Sequence, residues 1–260
     1  MLTETRWYCH PADLIRLMRV EDYGTFIQLI IGFVLAGGRD AWYLATTILI
    51  LAPCIYGGLY ALNDAHDAEV DRFHPIKSSR PVAAGRVDLV FAFTLGIGLI
   101  FLGLGAAMLF DLKVLILALL FVTINLAYTF RLKTVPYVEI VANTITHPLR
   151  FAAGLWLAGG MMDWSLLIVW SLAAFAIATL KRIKEMREVG VTVRPVLRYY
   201  NEINLRQLIM ISLGLLAGMW PFTNGYGFIL TGIWIALILT AVVGYFHIPL
   251  IRKLVEYAWR

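Results

Sequence analysis

The run WYLATTILILAPCIYGGLYAL at residues 42–62 passes without a break into NDAHDAEVD at residues 63–71. Residues 42–62 carry no charge, and a helix needs roughly 20 mostly apolar residues to cross the hydrocarbon of a bilayer. The stretch therefore reads as a membrane helix that emerges onto a dense acidic patch. Working outward, seven more runs have similar character: 20–38, 88–110, 113–130, 136–159, 164–181, 205–222 and 227–250. Glu21, Asp22 and Gln28 weaken the first of these, and 164–181 is short. The chain is 60% hydrophobic and 15% charged, whereas soluble domains carry about 25% charged residues. The expected fold is all-α: a polytopic membrane bundle of about eight transmembrane helices forming a single domain over residues 1–260.

Residues 1–23 mix polar and apolar side chains and lack a small-residue cleavage pattern, so no removable targeting segment is expected. They read instead as an interfacial lead-in helix with Trp7 and Tyr8 as anchors. Cys9 and Cys54 are the two cysteines, which excludes a disulfide framework and zinc spacing. The net charge of +5 does not point to nucleic acid, because the cations fall between the apolar runs. Threading the spans puts all but three of the 22 Lys and Arg residues on one side; Arg39 and Lys113 lie opposite and Arg150 lies within a span. By the positive-inside rule the rich side is cytoplasmic. The long loops at 63–87 and 182–204 share it, so a multi-pass cell-membrane protein with its active site facing the cytoplasm is expected.

At 100° per residue, Asn63, Asp67 and Asp71 stack at four-residue intervals and Asp64 falls within the same arc. Unscreened like charges at this spacing destabilise a helix. A hard divalent cation that takes oxygen ligands and shares its shell with substrate phosphates removes that conflict. Asn63, Asp64, Asp67 and Asp71 are the candidate Mg²⁺ ligands, with the three Asp residues catalytic. Pro75 and Pro81 stiffen the loop that follows. Its Arg72, Lys77 and Arg80 stand next to the acids, where they suit a diphosphate. The plainer alternatives are a solvated acidic helix end and cations that serve orientation alone.

In 136–159, Glu139, Asn143, His147 and Arg150 fall at about 0, 40, 80 and 20° on a helical wheel. Charges at membrane depth are costly unless they face a cavity or a partner. The stripe therefore lines a polar cavity, opened further if Pro148 kinks the helix, or else its members pair with one another and with neighbouring helices. Tyr128, Arg131 and Lys133 end the 113–130 run; Tyr128 fits an interfacial belt, and the two cations add phosphate donors. Beyond 164–181, Lys181, Lys184, Glu185 and Glu188 share a helical face. Lys181 and Glu185 are candidate catalytic groups, Glu185 as metal ligand or orienting group, with intrahelical ion pairing as the alternative.

These residues carry a resemblance. N-D-x-x-D-x-x-x-D at 63–71, H-P-x-K-x-x-R-P-x-A-A-G at 74–85, Y-T-F-x-L-K at 128–133 and L-R-F-A-A-G at 149–154 are similar to the UbiA superfamily of intramembrane prenyltransferases. The likeness covers residues 60–206. It implies a helical bundle around a lipid-accessible cavity, with Mg²⁺ bridging the Asp side chains and a substrate diphosphate. Ordinary members carry a second Asp-rich motif after the sixth helix. Here the last Asp is Asp163, and K-R-x-K-E at 181–185 stands in that place. This resembles the branch that makes decaprenylphosphoryl-5-phosphoribose, as do Gly190, Arg194, Leu197 and Tyr200. That branch implies phosphoribosyl diphosphate held by the second loop, through Arg182, Lys184 and Arg194, and a polyprenyl phosphate as nucleophile. Tyr128, Lys133, Asn143, His147 and Arg150 join the substrate-binding candidates. Members usually have nine spans, one more than counted here. Prenyl transfer from a prenyl diphosphate to an aromatic or other acceptor is the alternative enzyme. A lipid-binding or transport protein is the alternative of another class, although no internal repeat with matching broken helices is evident.

Overall fold

The computed structural model describes residues 10–190, 194–223 and 225–258, with side chains as far as Leu254. Trp7 and Tyr8, the expected anchors, lie outside the described residues. Among the described residues all regular structure is helical. The α-helices are α1 (Pro11–Leu17), α2 (Ile27–Leu35), α3 (Ala41–Asp71), α4 (Leu89–Phe110), α5 (Leu112–Phe130), α6 (Val138–Thr144), α7 (Thr146–Leu157), α8 (Trp164–Glu188), α9 (Glu202–Met219), α10 (Tyr226–His247) and α11 (Pro249–Ala258). Six of them, α3, α4, α5, α8, α9 and α10, are long and apolar enough to cross a membrane. The chain is a multi-pass, all-α membrane protein.

Two of the eight expected spans are assembled from shorter pieces. Residues 20–38 form a 3₁₀ segment, Val20–Phe26, followed by the nine-residue α2. Asp22 and Gly24 give this start little reason to continue as an α-helix. Residues 136–159 split into α6 and α7 at Ile145. Pro148 lies four residues after Thr144, so it lacks the N–H that would bond the Thr144 carbonyl and its ring crowds that carbonyl. The polar stripe read from one wheel is therefore divided between two helices.

The helices gather into two compact units: residues 1–131 with 153–160, and residues 132–152 with 161–260. In the first unit, α3 absorbs Pro53 in a π-helical turn, Ile50–Tyr56, a wider turn that tolerates the missing donor. Below it α3 and α4 cross with their backbones nearly touching. A Cβ at Gly58 would lie 2.7 Å from the Gly96 carbonyl oxygen, and one at Gly96 would lie 2.8 Å from the Gly58 carbonyl oxygen. Small residues permit such close crossings in membranes. On α3, Ala61, Ala65 and Ala68 form a shallow strip that packs with Leu17 of α1. This seats the end of α1 beside the acidic motif.

The second unit is organised by α8 and α9. Val169, Ala173, Ala176, Leu180 and Ile183 recur every three or four residues on α8, and Leu205, Ile209, Leu213 and Leu216 do so on α9; all are buried in one cluster. That period keeps one helical stripe facing its partner. Asp163 and Asn201 cap the two helices, accepting from the Leu166 and Ile203 amides at 3.0 and 2.8 Å. α8 continues through the K-R-x-K-E stretch to Glu188, so those charges sit on a helix rather than in a loop.

Candidate functional site

The acids of α3 divide by burial. Asp64 and Asp71 are 2% and 3% exposed, while Asn63 and Asp67 are half-buried. Arg19 Nη2 donates to Asp64 Oδ1 at 2.7 Å, and Arg80 Nη1 lies 3.4 Å from the same oxygen. Arg80 Nη1 also donates to Asp71 Oδ2 at 2.5 Å, with Lys77 Nζ 3.9 Å from Asp71 Oδ1. Asp67 Oδ1 meets His66 Nδ1 at 2.9 Å, and Asn63 Oδ1 accepts from Thr129 Oγ1 at 3.2 Å. Arg72 is exposed. The buried His74 fixes the basic loop, its Nδ1 accepting from the Ile76 and Lys77 amides at 3.1 and 3.2 Å. Burial and the neighbouring Arg19 lower the pKa of Arg80, against the pull of Asp64 and Asp71. At Arg19 burial also acts downward, but Asp64 overrides it and the pKa is raised.

One atom in this set is left over. Asp64 Oδ2 is buried and has no hydrogen-bond partner, an exception to the rule that buried polar atoms are satisfied. Among the described residues no three His, Cys, Asp or Glu side chains stand together as a ready metal cage. The donor chemistry nevertheless fits a hard cation: oxygen ligands two turns deep along one helix face, one buried carboxylate oxygen open, and cations alongside for phosphate.

A second charged cluster belongs to the other unit. Glu139, fully buried on α6, accepts from Arg182 Nε at 2.5 Å, Arg194 Nη2 at 3.0 Å and the Tyr200 hydroxyl at 2.9 Å. Glu185 pairs with Arg182 through a close contact and with Arg194 Nη1 at 3.0 Å. The two glutamates and two arginines thus close a ring in which each arginine bridges both carboxylates. Tyr200 also accepts from the Tyr137 amide at 3.0 Å. Burial, together with Glu139, raises the pKa of Tyr200 and keeps its proton in place as a donor.

The remaining expected residues are more dispersed. Lys184 pairs with Glu188 at 3.6 Å, as intrahelical spacing allows. Arg150 is buried, and its Nη1 lies 3.4 Å from the Thr146 carbonyl. Tyr128, Lys133, Asn143, His147 and Lys181 are half-buried. One member of the clusters, Arg19, was not among the residues the sequence singled out. Arg19 lies 45 residues before Asp64 and carries no motif signal. Glu139 was visible as a charge at membrane depth, but not as the hub of the ring.

The UbiA prenyltransferase family model matches residues 25–257. Two curated relatives, the decaprenyl-phosphate phosphoribosyltransferases of Corynebacterium glutamicum and Mycobacterium tuberculosis, are 30% identical over 189 residues and 31% over 187. These alignments cover 68% and 69% of this chain, which spans 57% and 60% of the relatives' own length. A UbiA homolog from Archaeoglobus fulgidus, solved bound to GPP and Mg²⁺, shares the fold with a TM-score of 0.74 at 18% identity, covering 87% of this chain and 84% of that one. The chain belongs to the UbiA prenyltransferase family.

Proposed function

We propose that this chain is a membrane transferase that moves the phosphoribosyl group of phosphoribosyl diphosphate onto a polyprenyl phosphate at the cytoplasmic face, with residues 1–260 acting as one UbiA-like domain. The observation that carries the reading is the open, buried Asp64 Oδ2 among acids flanked by Arg19, Lys77 and Arg80. Asn63, Asp64, Asp67 and Asp71 would hold Mg²⁺, which supplies charge neutralisation for a departing diphosphate. Arg80 and Lys77, already aimed at the acids, donate to the diphosphate oxygens, and Arg72 extends the same basic loop. Tyr128, Lys133, Asn143, His147 and Arg150 are assigned to substrate contacts. A phosphate oxygen of the lipid forms a bond to the ribosyl anomeric carbon as that carbon's bond to the diphosphate breaks. The electron pair leaves with the diphosphate, so donors preorganised for that growing charge lower the barrier.

Support for phosphoribosyl rather than prenyl transfer comes from the second loop. In place of a second Asp-rich motif stands the Glu139–Arg182–Glu185–Arg194 ring, and two phosphoribosyltransferases near 30% identity match over 187–189 residues, whereas a digeranylgeranylglyceryl phosphate synthase at 31% matches over 137. Lys181, Arg182, Lys184 and Arg194 are assigned to phosphate binding there, with Glu185 as the orienting group. Purified full-length protein with Mg²⁺ is supplied either with labelled phosphoribosyl diphosphate and polyprenyl phosphate, or with labelled prenyl diphosphate and an aromatic acceptor. The expected result is label in lipid with the first pair. Turnover of the second pair alone assigns ordinary prenyl transfer, and turnover of neither removes the transferase reading. A cysteine at the exposed Arg72 should react with an impermeant reagent only from the cytoplasmic side.

A further inference from the structure

Arg19 has a backbone that calls for an explanation. At φ 49°, ψ 54° it occupies the left-handed region, which residues bearing a Cβ adopt at a cost. Such conformations persist where their surroundings over-determine them, and they gather at binding and switch sites. Two anchors hold Arg19. On one side the buried Leu17 packs with Ala61, Ala65 and Ala68 of α3. On the other the guanidinium meets Asp64 at 2.7 Å and lies over the Tyr60 ring, 4.8 Å from its centroid.

The hold on Asp64 is lopsided. Oδ1 is shared by Arg19 and Arg80, while the buried Oδ2 has no partner. A divalent cation on this carboxylate would share it with two guanidinium groups in a site whose acid side chain is 1% exposed, where like charges are poorly screened. One arginine must withdraw. Arg80 is tied a second time, to Asp71 at 2.5 Å; Arg19 sits on a strained turn that relaxes when its side chain lets go.

We infer that Arg19 is a positioning residue that makes metal binding conditional on phosphate. Its guanidinium holds Asp64 while the site is empty and transfers to the diphosphate oxygens when metal and diphosphate enter together. A phosphate accepts the guanidinium fork as readily as a carboxylate does. The inference rests on the acidic face being the metal and diphosphate site.

Mn²⁺ binding to the full-length protein in detergent, followed by electron paramagnetic resonance at matched free Mn²⁺ with and without inorganic pyrophosphate, tests it. Wild type should bind Mn²⁺ about 10-fold or more tightly when pyrophosphate is present, and Arg19→Gly should bind Mn²⁺ alone about 10-fold more tightly than wild type. Glycine accepts this φ, so the variant removes charge and strain together. Arg19→Lys, which keeps the charge but not the fork, should bind Mn²⁺ alone as weakly as wild type does. If Mn²⁺ binds, Asp64→Asn abolishes binding and Arg19→Gly changes nothing, the role of Arg19 is refuted while the site stands. If neither wild type nor Arg19→Gly binds Mn²⁺ under either condition, the metal-site reading fails and takes this inference with it.

Discussion

The acidic face of α3 and the Glu139 ring use the same side-chain chemistry to opposite ends. In the ring both carboxylates are bridged by both arginines, and Tyr200 adds a third donor to Glu139. On α3 the cations crowd Asp64 Oδ1 and Asp71 and leave Asp64 Oδ2 open. The closed network braces its own arginines in place; the open one leaves a carboxylate oxygen to receive. Each region also carries one of the two non-glycine residues with positive φ among the described residues, Arg19 beside the acids and Tyr137 at the start of α6. Tyr137 is fixed by the hydrogen bond its backbone N–H donates to the Tyr200 hydroxyl, within the brace; Arg19 is fixed by the receptor itself.

Substitutions that strike one region at a time break or sharpen this contrast. Asp64→Asn should abolish Mg²⁺-dependent turnover, by about 10³-fold, through loss of charge stabilisation. It should cost the fold little, because Arg80 keeps Asp71. Paired turnover and thermal-unfolding measurements check both halves. Glu139→Ala should strike the fold as well, lowering stability by about 3 kcal/mol or more by leaving Arg182, 3% exposed, short of a partner; a variant as stable as wild type would remove the brace. Gly58→Val touches neither cluster but forces α3 from α4. It should destabilise by about 1–3 kcal/mol and weaken metal binding through displacement of the acidic face. Tyr200→Phe, the mildest, removes one hydroxyl from the ring and should cost about 1 kcal/mol in the same unfolding assay.

Much of this was legible in the sequence, for physical reasons. The long spans follow from uninterrupted apolar runs, and the acidic face follows from four-residue spacing, which a helix turns into adjacency. Pro148 announced a disturbance in 136–159; the wheel that kept the helix whole gave Glu139 and Arg150 a common stripe that the break at Ile145 divides. The partners of Glu139 lie 43, 55 and 61 residues downstream, and no local periodicity reports contacts at that separation. Arg19 was hidden more deeply still. A single left-handed residue between α1 and the 3₁₀ segment aims it at Asp64, and neither its neighbours nor its spacing marks that turn.

A structure of the full chain with Mn²⁺ and pyrophosphate bound tests the receptor directly. The expected result is Mn²⁺ on Asp64 Oδ2, sharing Asn63, Asp67 or Asp71, with Arg19 moved from the carboxylate onto the pyrophosphate. Metal bound elsewhere, with Asp64 still held by Arg19 and its second oxygen still bare, would contradict it.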